Sequence, residues 1–146
     1  MTRRLIVLFD PGSTQSHMKG DALPKGATPR VHQQMRQATT LGGETNCNRS
    51  VALQGITFPE FTRSMKVDAH EFWIHNNSNV RYDVIIGRDL LTELKLDICH
   101  SDGTMLMEGR KILMKKRGEV PTSFSRGRRD VCDGNPRRQI RRGQNR

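Results

Sequence analysis

One carboxylate in this chain stands where an apolar run stops and a turn begins. Leu5-Ile6-Val7-Leu8-Phe9 is followed at once by Asp10-Pro11-Gly12-Ser13-Thr14, which reads as a buried β-strand ending at a breaker. A carboxylate held at a strand end can take or give a proton in general acid–base catalysis. Asp-x-Gly alone is also ordinary turn chemistry, so the segment needs a second signal before it means more. Two other groupings invite a metal reading. His70-Glu71-Phe72-Trp73-Ile74-His75 resembles a zinc-hydrolase helix, but its second histidine comes five residues after the first, roughly 140° away around a helix. Cys99-His100 has no second ligand pair at close spacing. Neither metal nor cofactor is expected, and the two histidines read as strand-end or solvent-facing groups.

The elements that must position Asp10 are mostly strands. The segment 19–30 carries Gly20, Pro24, Gly26 and Pro29, and so many breakers predict loop throughout. Between Thr39 and Phe61 a polar, glycine-containing stretch gives way to alternating Val51 and Leu53, the pattern of a hairpin with a flexible tip. Met65, Val67 and Ala69 alternate with polar residues and Phe72-Trp73-Ile74 continues the apolar character, predicting one strand over 65–75. Tyr82 to Ile86 is a short buried strand stopped by Gly87. After it, Asp89 suits a helix N-cap, and Leu90, Leu91 and Leu94 share a helical face. Alternation returns at Leu96 to His100, Asp102-Gly103 is a hairpin signal, and Met105 to Met107 pairs back. The methionine-rich segment 105–114 reads as core.

With 146 residues, the chain is near the commonest size for one compact unit. Its 34% apolar content, before 13 glycines are added, is enough for a core. The formal charge of +10 is uneven: from Lys115 onward there are 11 Lys/Arg against 3 Asp/Glu. Large apolar groups are few there, so 115–146 is expected to be a disordered basic tail after a folded unit over 1–114. Its arginines suit phosphate contact, and with Phe124 its single aromatic, only non-specific nucleic-acid affinity is expected. Cys47, Cys99 and Cys132 are distant and odd in number, which suits reduced thiols in an intracellular, cytoplasmic protein. The five-residue apolar run near the start is short of the roughly 7 to 15 residues of a secretory signal, so export is not expected. No run reaches the roughly 18 to 20 residues of a membrane helix, so no membrane partner is expected.

The second signal for Asp10 lies nearly eighty residues on. LIVLFDPGST and YDVIIGRDLL, each an apolar strand running into a polar turn, together resemble the retropepsins, the single-lobe aspartic proteases of retroviruses and long-terminal-repeat retrotransposons, and among them the gypsy-like elements. The resemblance spans roughly 5–118 and takes in ALPKGATP, FPEF and MEGRKILMKKRG. It implies a mostly β, barrel-like single lobe with one short C-terminal helix. It also implies that Asp10 is the catalytic carboxylate, that Gly12 lets the backbone approach it, and that Ser13 and Thr14 line the site. Gly87, Arg88 and Asp89 are implied as structural supports of the catalytic loop, and residues 40–48 as the flap over extended substrate.

Metal-free peptide hydrolysis of this kind needs two carboxylates around one water, sharing one proton because adjacent negative charges repel. This chain has one suitable Asp-x-Gly, so the resemblance implies a homodimer in which each subunit contributes Asp10, acting on a retroelement polyprotein. Pro11 stands where that family carries Ser or Thr, and it lacks both the hydroxyl and the N–H that tie the two loops together across the dimer. Only nine residues precede Asp10, fewer than the family usually carries, so one of its N-terminal strands is expected to be missing. A catalytically silent retropepsin fold, kept as a dimerisation or binding module or as a retroelement remnant, is therefore the alternative.

Overall fold

The structure, a computed structural model, describes residues 4–40 and 43–120. Its longest sheet has six strands, and the order along it explains how distant segments reach one place. Strand β1 (Val7–Phe9) pairs in parallel with β8 (Val84–Ile86). On the other side of β8 lies β2 (His17–Lys19), antiparallel to it. Beyond β2 come β7 (His70–His75), β4 (Gly43–Leu53) and, at the edge, β3 (Arg30–Thr40). The chain therefore leaves β1, crosses the end of β8 and re-enters the same sheet as β2. Two smaller sheets complete the lobe: β5 (Ile56–Phe58) with β6 (Thr62–Val67), and β9 (Asp97–Cys99), β10 (Thr104–Met107) and β11 (Arg110–Leu113).

Side chains of three consecutive residues explain why β8 is central. Val84, Ile85 and Ile86 are all buried, as a strand covered on both faces requires. Among the described residues there is one α-helix, α1 (Arg88–Glu93), whose Leu90 and Leu91, with Leu94 just after it, are buried in one core with Ile86, Phe72 and Met107. Its last turn closes with the Leu94 N–H donating to the Leu90 carbonyl at 2.9 Å, and Lys95 then turns through a left-handed φ of 49°. Phe9, the residue before Asp10, sits between Phe58 and Phe61 with ring centroids 5.9 and 6.3 Å away. These contacts fix the end of β1 by packing, which a short strand of three residues could not do alone.

Four local expectations change. The predicted strand over 65–75 is two strands, because the chain turns at Asp68-Ala69 and its second half joins a different sheet. The segment 19–30 is not wholly loop: Lys19 ends β2 and Gly20–Ala22 forms a 3₁₀ turn whose Ala22 is buried. The N-cap of α1 is Gly87, not Asp89, which lies in the first turn with its carboxylate engaged elsewhere. Order also continues past residue 114. Arg117–Glu119 form a 3₁₀ turn, the Glu119 carboxylate accepts from the Lys116 N–H at 2.8 Å, and Arg81 donates to the Val120 carbonyl at 2.7 Å. Charged partners on the lobe supply what that segment's own composition lacks. The rest of the expected tail, 121–146, lies outside the described residues.

Candidate active site

Asp10 begins the crossing segment. Its N–H donates to the Ile86 carbonyl at 2.8 Å, and its carboxylate Oδ1 accepts the Gly12 N–H at 2.9 Å. The Ser13 N–H closes the turn onto the Asp10 carbonyl at 3.2 Å. Among the described residues no hydrogen bond reaches Oδ2, and the side chain is half-exposed. The loop thus presents one fixed and one free carboxylate oxygen at its start.

The far end of the loop is bolted to the start of α1. The Arg88 N–H donates to the Ser13 carbonyl at 2.8 Å. Ser16, wholly buried, donates its hydroxyl to Asp89 Oδ1 at 2.7 Å and its N–H to Oδ2 at 3.0 Å, while its hydroxyl oxygen accepts the Gly87 N–H at 3.0 Å. His70 approaches Asp89 and Glu93, each at 3.1 Å. Burial works to raise the Asp89 carboxyl, but the bonds from Ser16, Leu90 and His70 outweigh it and hold it below the usual carboxylate range. Gly87 has no room for a side chain: a Cβ there would lie 2.5 Å from the Gln15 carbonyl oxygen and 2.9 Å from that of Ser13.

Above the loop lies the β3–β4 hairpin. Its strands run over 30–40 and 43–53, so it is longer than the expected flap at 40–48, and its apex, residues 41 and 42, lies outside the described residues. A cavity of about 420 Å³ separates hairpin from loop, lined on one side by Gly12 to Gln15 and on the other by Arg36 to Thr39 and Cys47. Trp73 and His17 form its floor side. The size suits a few side chains of an extended peptide. No helix among the described residues is long and apolar enough to cross a membrane, and none of their His, Cys, Asp and Glu side chains cluster as a metal site would need.

No family model matches the sequence, and no curated protein does. Twelve solved chains do match. One is the retroviral protease-like domain of Ddi1 from Leishmania major, at 14% identity and a TM-score of 0.50, the match covering 78% of this chain and 86% of that one. The fold is retropepsin-like. At that identity the likeness concerns fold, and the roles of individual residues rest on the geometry of this chain.

Within the retropepsin-like lobe, Gly12, Ser13 and Thr14 line the cleft, Asp10 starts the same loop, and Gly87, Arg88 and Asp89 hold that loop from behind. Ser13 turns its hydroxyl onto the Gln15 carbonyl at 2.7 Å and Thr14 is exposed. Residues that the sequence reading passes over are Gln15, Ser16, His17, Arg36 and Trp73. Ser16 and His17 continue the polar run after Asp10, which was one available signal. Nothing local marks Arg36. His70 and His75 stand on a strand rather than a helix, His70 half-buried beside its carboxylates and His75 buried.

Replacing Ser16 with Ala removes two bonds and strands a buried Gly87 N–H, so the chain is expected to lose about 2 kcal/mol of stability in denaturant titration. Acid is expected to act on the same sheet. Burial lowers His17, opposed by Asp89, and burial lowers His75, aided by the charges of His17 and Lys19 and opposed by Asp21. Both groups lie below the ordinary histidine value of 6.5 when folded, so as pH falls below that value the unfolded chain takes up protons first. Stability is full above it and is lost on the way down. The melting temperature should therefore drop between about pH 7.5 and about pH 5, and His75→Gln should flatten that slope. An unchanged slope would mean that these histidines are not responsible.

Proposed function

We propose that this chain is one subunit of an aspartic endopeptidase that works as a homodimer on a retroelement polyprotein, with the gypsy-like elements as its source. The observation that carries the reading is the free Oδ2 of Asp10, on a loop braced by Ser16, Gly87 and Asp89 whose next residues, Gly12 to Gln15, line the cleft under the hairpin. In the dimer two Asp10 carboxylates would flank one water. The ionised one takes a proton as the water oxygen bonds to the peptide carbonyl carbon, and the protonated one donates to the carbonyl oxygen. Collapse of the tetrahedral intermediate breaks the C–N bond as the leaving nitrogen is protonated, and the shared proton is restored.

Pro11 favours a second reading, a catalytically silent dimer or binding module. It is exposed beside Asp10 and offers neither hydroxyl nor N–H to a facing loop. Wild-type, Pro11→Ser and Asp10→Asn chains, incubated with a mixed peptide library at mildly acidic pH and weighed by sedimentation, separate the two. Cleavage by a wild-type dimer that Asp10→Asn lacks supports the endopeptidase. Silence relieved by Pro11→Ser identifies a disabled enzyme, and silence from all three removes the enzymatic reading.

A further inference from the structure

Arg36 is a cation placed with care and given no carboxylate. Its guanidinium carbon lies 4.4 Å from the centre of the Trp73 ring, and Nη1 donates to the Gln15 side-chain oxygen at 3.1 Å. Among the described residues it is in no ion pair. His32, four residues back along the same strand, packs on the same indole with ring centroids 4.7 Å apart. The arrangement joins three elements: β3 supplies Arg36 and His32, β7 supplies Trp73, and the catalytic loop supplies Gln15. Arginine held flat on an aromatic face keeps its outer N–H groups available, and less freedom remains to be lost when they bind.

The cavity beside it has one sign of charge. Among the described residues Arg36 is the only Lys or Arg lining the space between loop and hairpin, and no Asp or Glu lines it. The nearest glutamate on the hairpin, Glu44, is turned to Gln37, whose side-chain nitrogen donates to it at 2.9 Å. His17, which also faces the cavity, is buried and its Nδ1 has no hydrogen-bond partner. A guanidinium in no ion pair beside an amide, in a space without a carboxylate, fits an acceptor-rich side chain far better than an aliphatic one.

We propose that this cleft selects peptides bearing a glutamate or aspartate next to the cleavage point, with Arg36 as the specificity-determining residue, oriented by Trp73 and Gln15. The proposal rests on the endopeptidase reading for the word cleavage, but the recognition can be measured without turnover. Trp73 is the only tryptophan of the chain, so its fluorescence reports this cleft alone. The full-length Asp10→Asn chain would be titrated with three decapeptide pools that differ only in one fixed central residue, Glu, Gln or Lys, and active wild-type chain would digest a random library for sequencing of the cut sites.

The Glu pool should bind about 10-fold more tightly than the Gln pool, as a charge-assisted fork adds to a neutral contact. In the same background Arg36→Leu should erase that difference, and Arg36→Glu should transfer the preference to the Lys pool, which also shows that the variant is folded. Equal binding of all pools, no binding of any, or a Glu preference that persists in Arg36→Leu overturns the proposal. The two readings fail separately: cuts without neighbouring acids leave the endopeptidase and remove the role of Arg36, whereas a Glu preference in binding with no cuts by wild type leaves Arg36 and removes the endopeptidase.

Discussion

Asp10→Asn is expected to reduce peptide hydrolysis by about 10² to 10⁴-fold, the usual contribution of a positioned acid or base. The change is nearly isosteric. The Asn side-chain oxygen can still accept the Gly12 N–H that Asp10 Oδ1 accepts at 2.9 Å, so the loop should keep its shape and the melting temperature should hardly move. What is lost is the ability of that side chain to take a proton from water. The dimer adds a sharper test. If subunits exchange at random, an equal mixture of wild-type and Asp10→Asn chains leaves roughly one quarter of the dimers with both aspartates. If one aspartate sufficed, roughly three quarters of the dimers would stay active instead. Activity that survived in Asp10→Asn alone would remove this residue from the chemistry.

Gly87→Ala should cost about 3 kcal/mol or more, the upper range of overpacking, because the atoms in the way are backbone. A methyl group there would sit 2.5 Å from the Gln15 carbonyl oxygen and 2.6 Å from its carbon. A flexible side chain could move aside, but Gln15 belongs to the loop that the Ser13, Ser16 and Asp89 bonds hold in place. Relief must therefore come from pushing the Asp10 loop off β8 or from moving the start of α1. Gly118→Ala, where a Cβ meets nothing within 4 Å, is the control and should stay within about 0.5 kcal/mol of wild type. Urea midpoints for the three chains decide the matter, and a Gly87→Ala chain as stable as the control would show that the loop yields freely.

Asp10 and Gly87 were both legible because each ends a run of apolar β-favouring residues, a pattern that needs no knowledge of the rest of the chain. Their meeting was not legible from local pattern. It depends on β8 lying between β1 and β2, a parallel and an antiparallel pairing made across more than sixty residues. The family resemblance implied that meeting; the hydrogen bonds specify it. Asp89 illustrates the limit of local preference. As a residue type it suits an N-cap, yet Ser16, from far away in sequence, takes its carboxylate and leaves the cap to Gly87. The strand over 65–75 reads as continuous because alternation persists through Asp68-Ala69, and only the assignment of its halves to different sheets reveals the break. Arg36 and Trp73 were opaque for a related reason: an exposed arginine on a polar strand looks like any solvated charge until a tryptophan from β7 appears beneath it.

The crossing of the Asp10 loop over β8 also sets an order of events in time. Asp83 binds the Ile6 N–H at 2.9 Å across a sequence separation of 77, and Asp89 binds Ser16 across 73. During synthesis Asp10 emerges before Asp83 and Asp89, the partners that shape its surroundings, which follow more than seventy residues later. Contacts this distant in sequence are slow to form, and a nascent chain lacking β8 and α1 has nothing to hold the loop. The carboxylate is therefore made before the segments that fix it, and its loop takes its final shape only once β8 and α1 have been added.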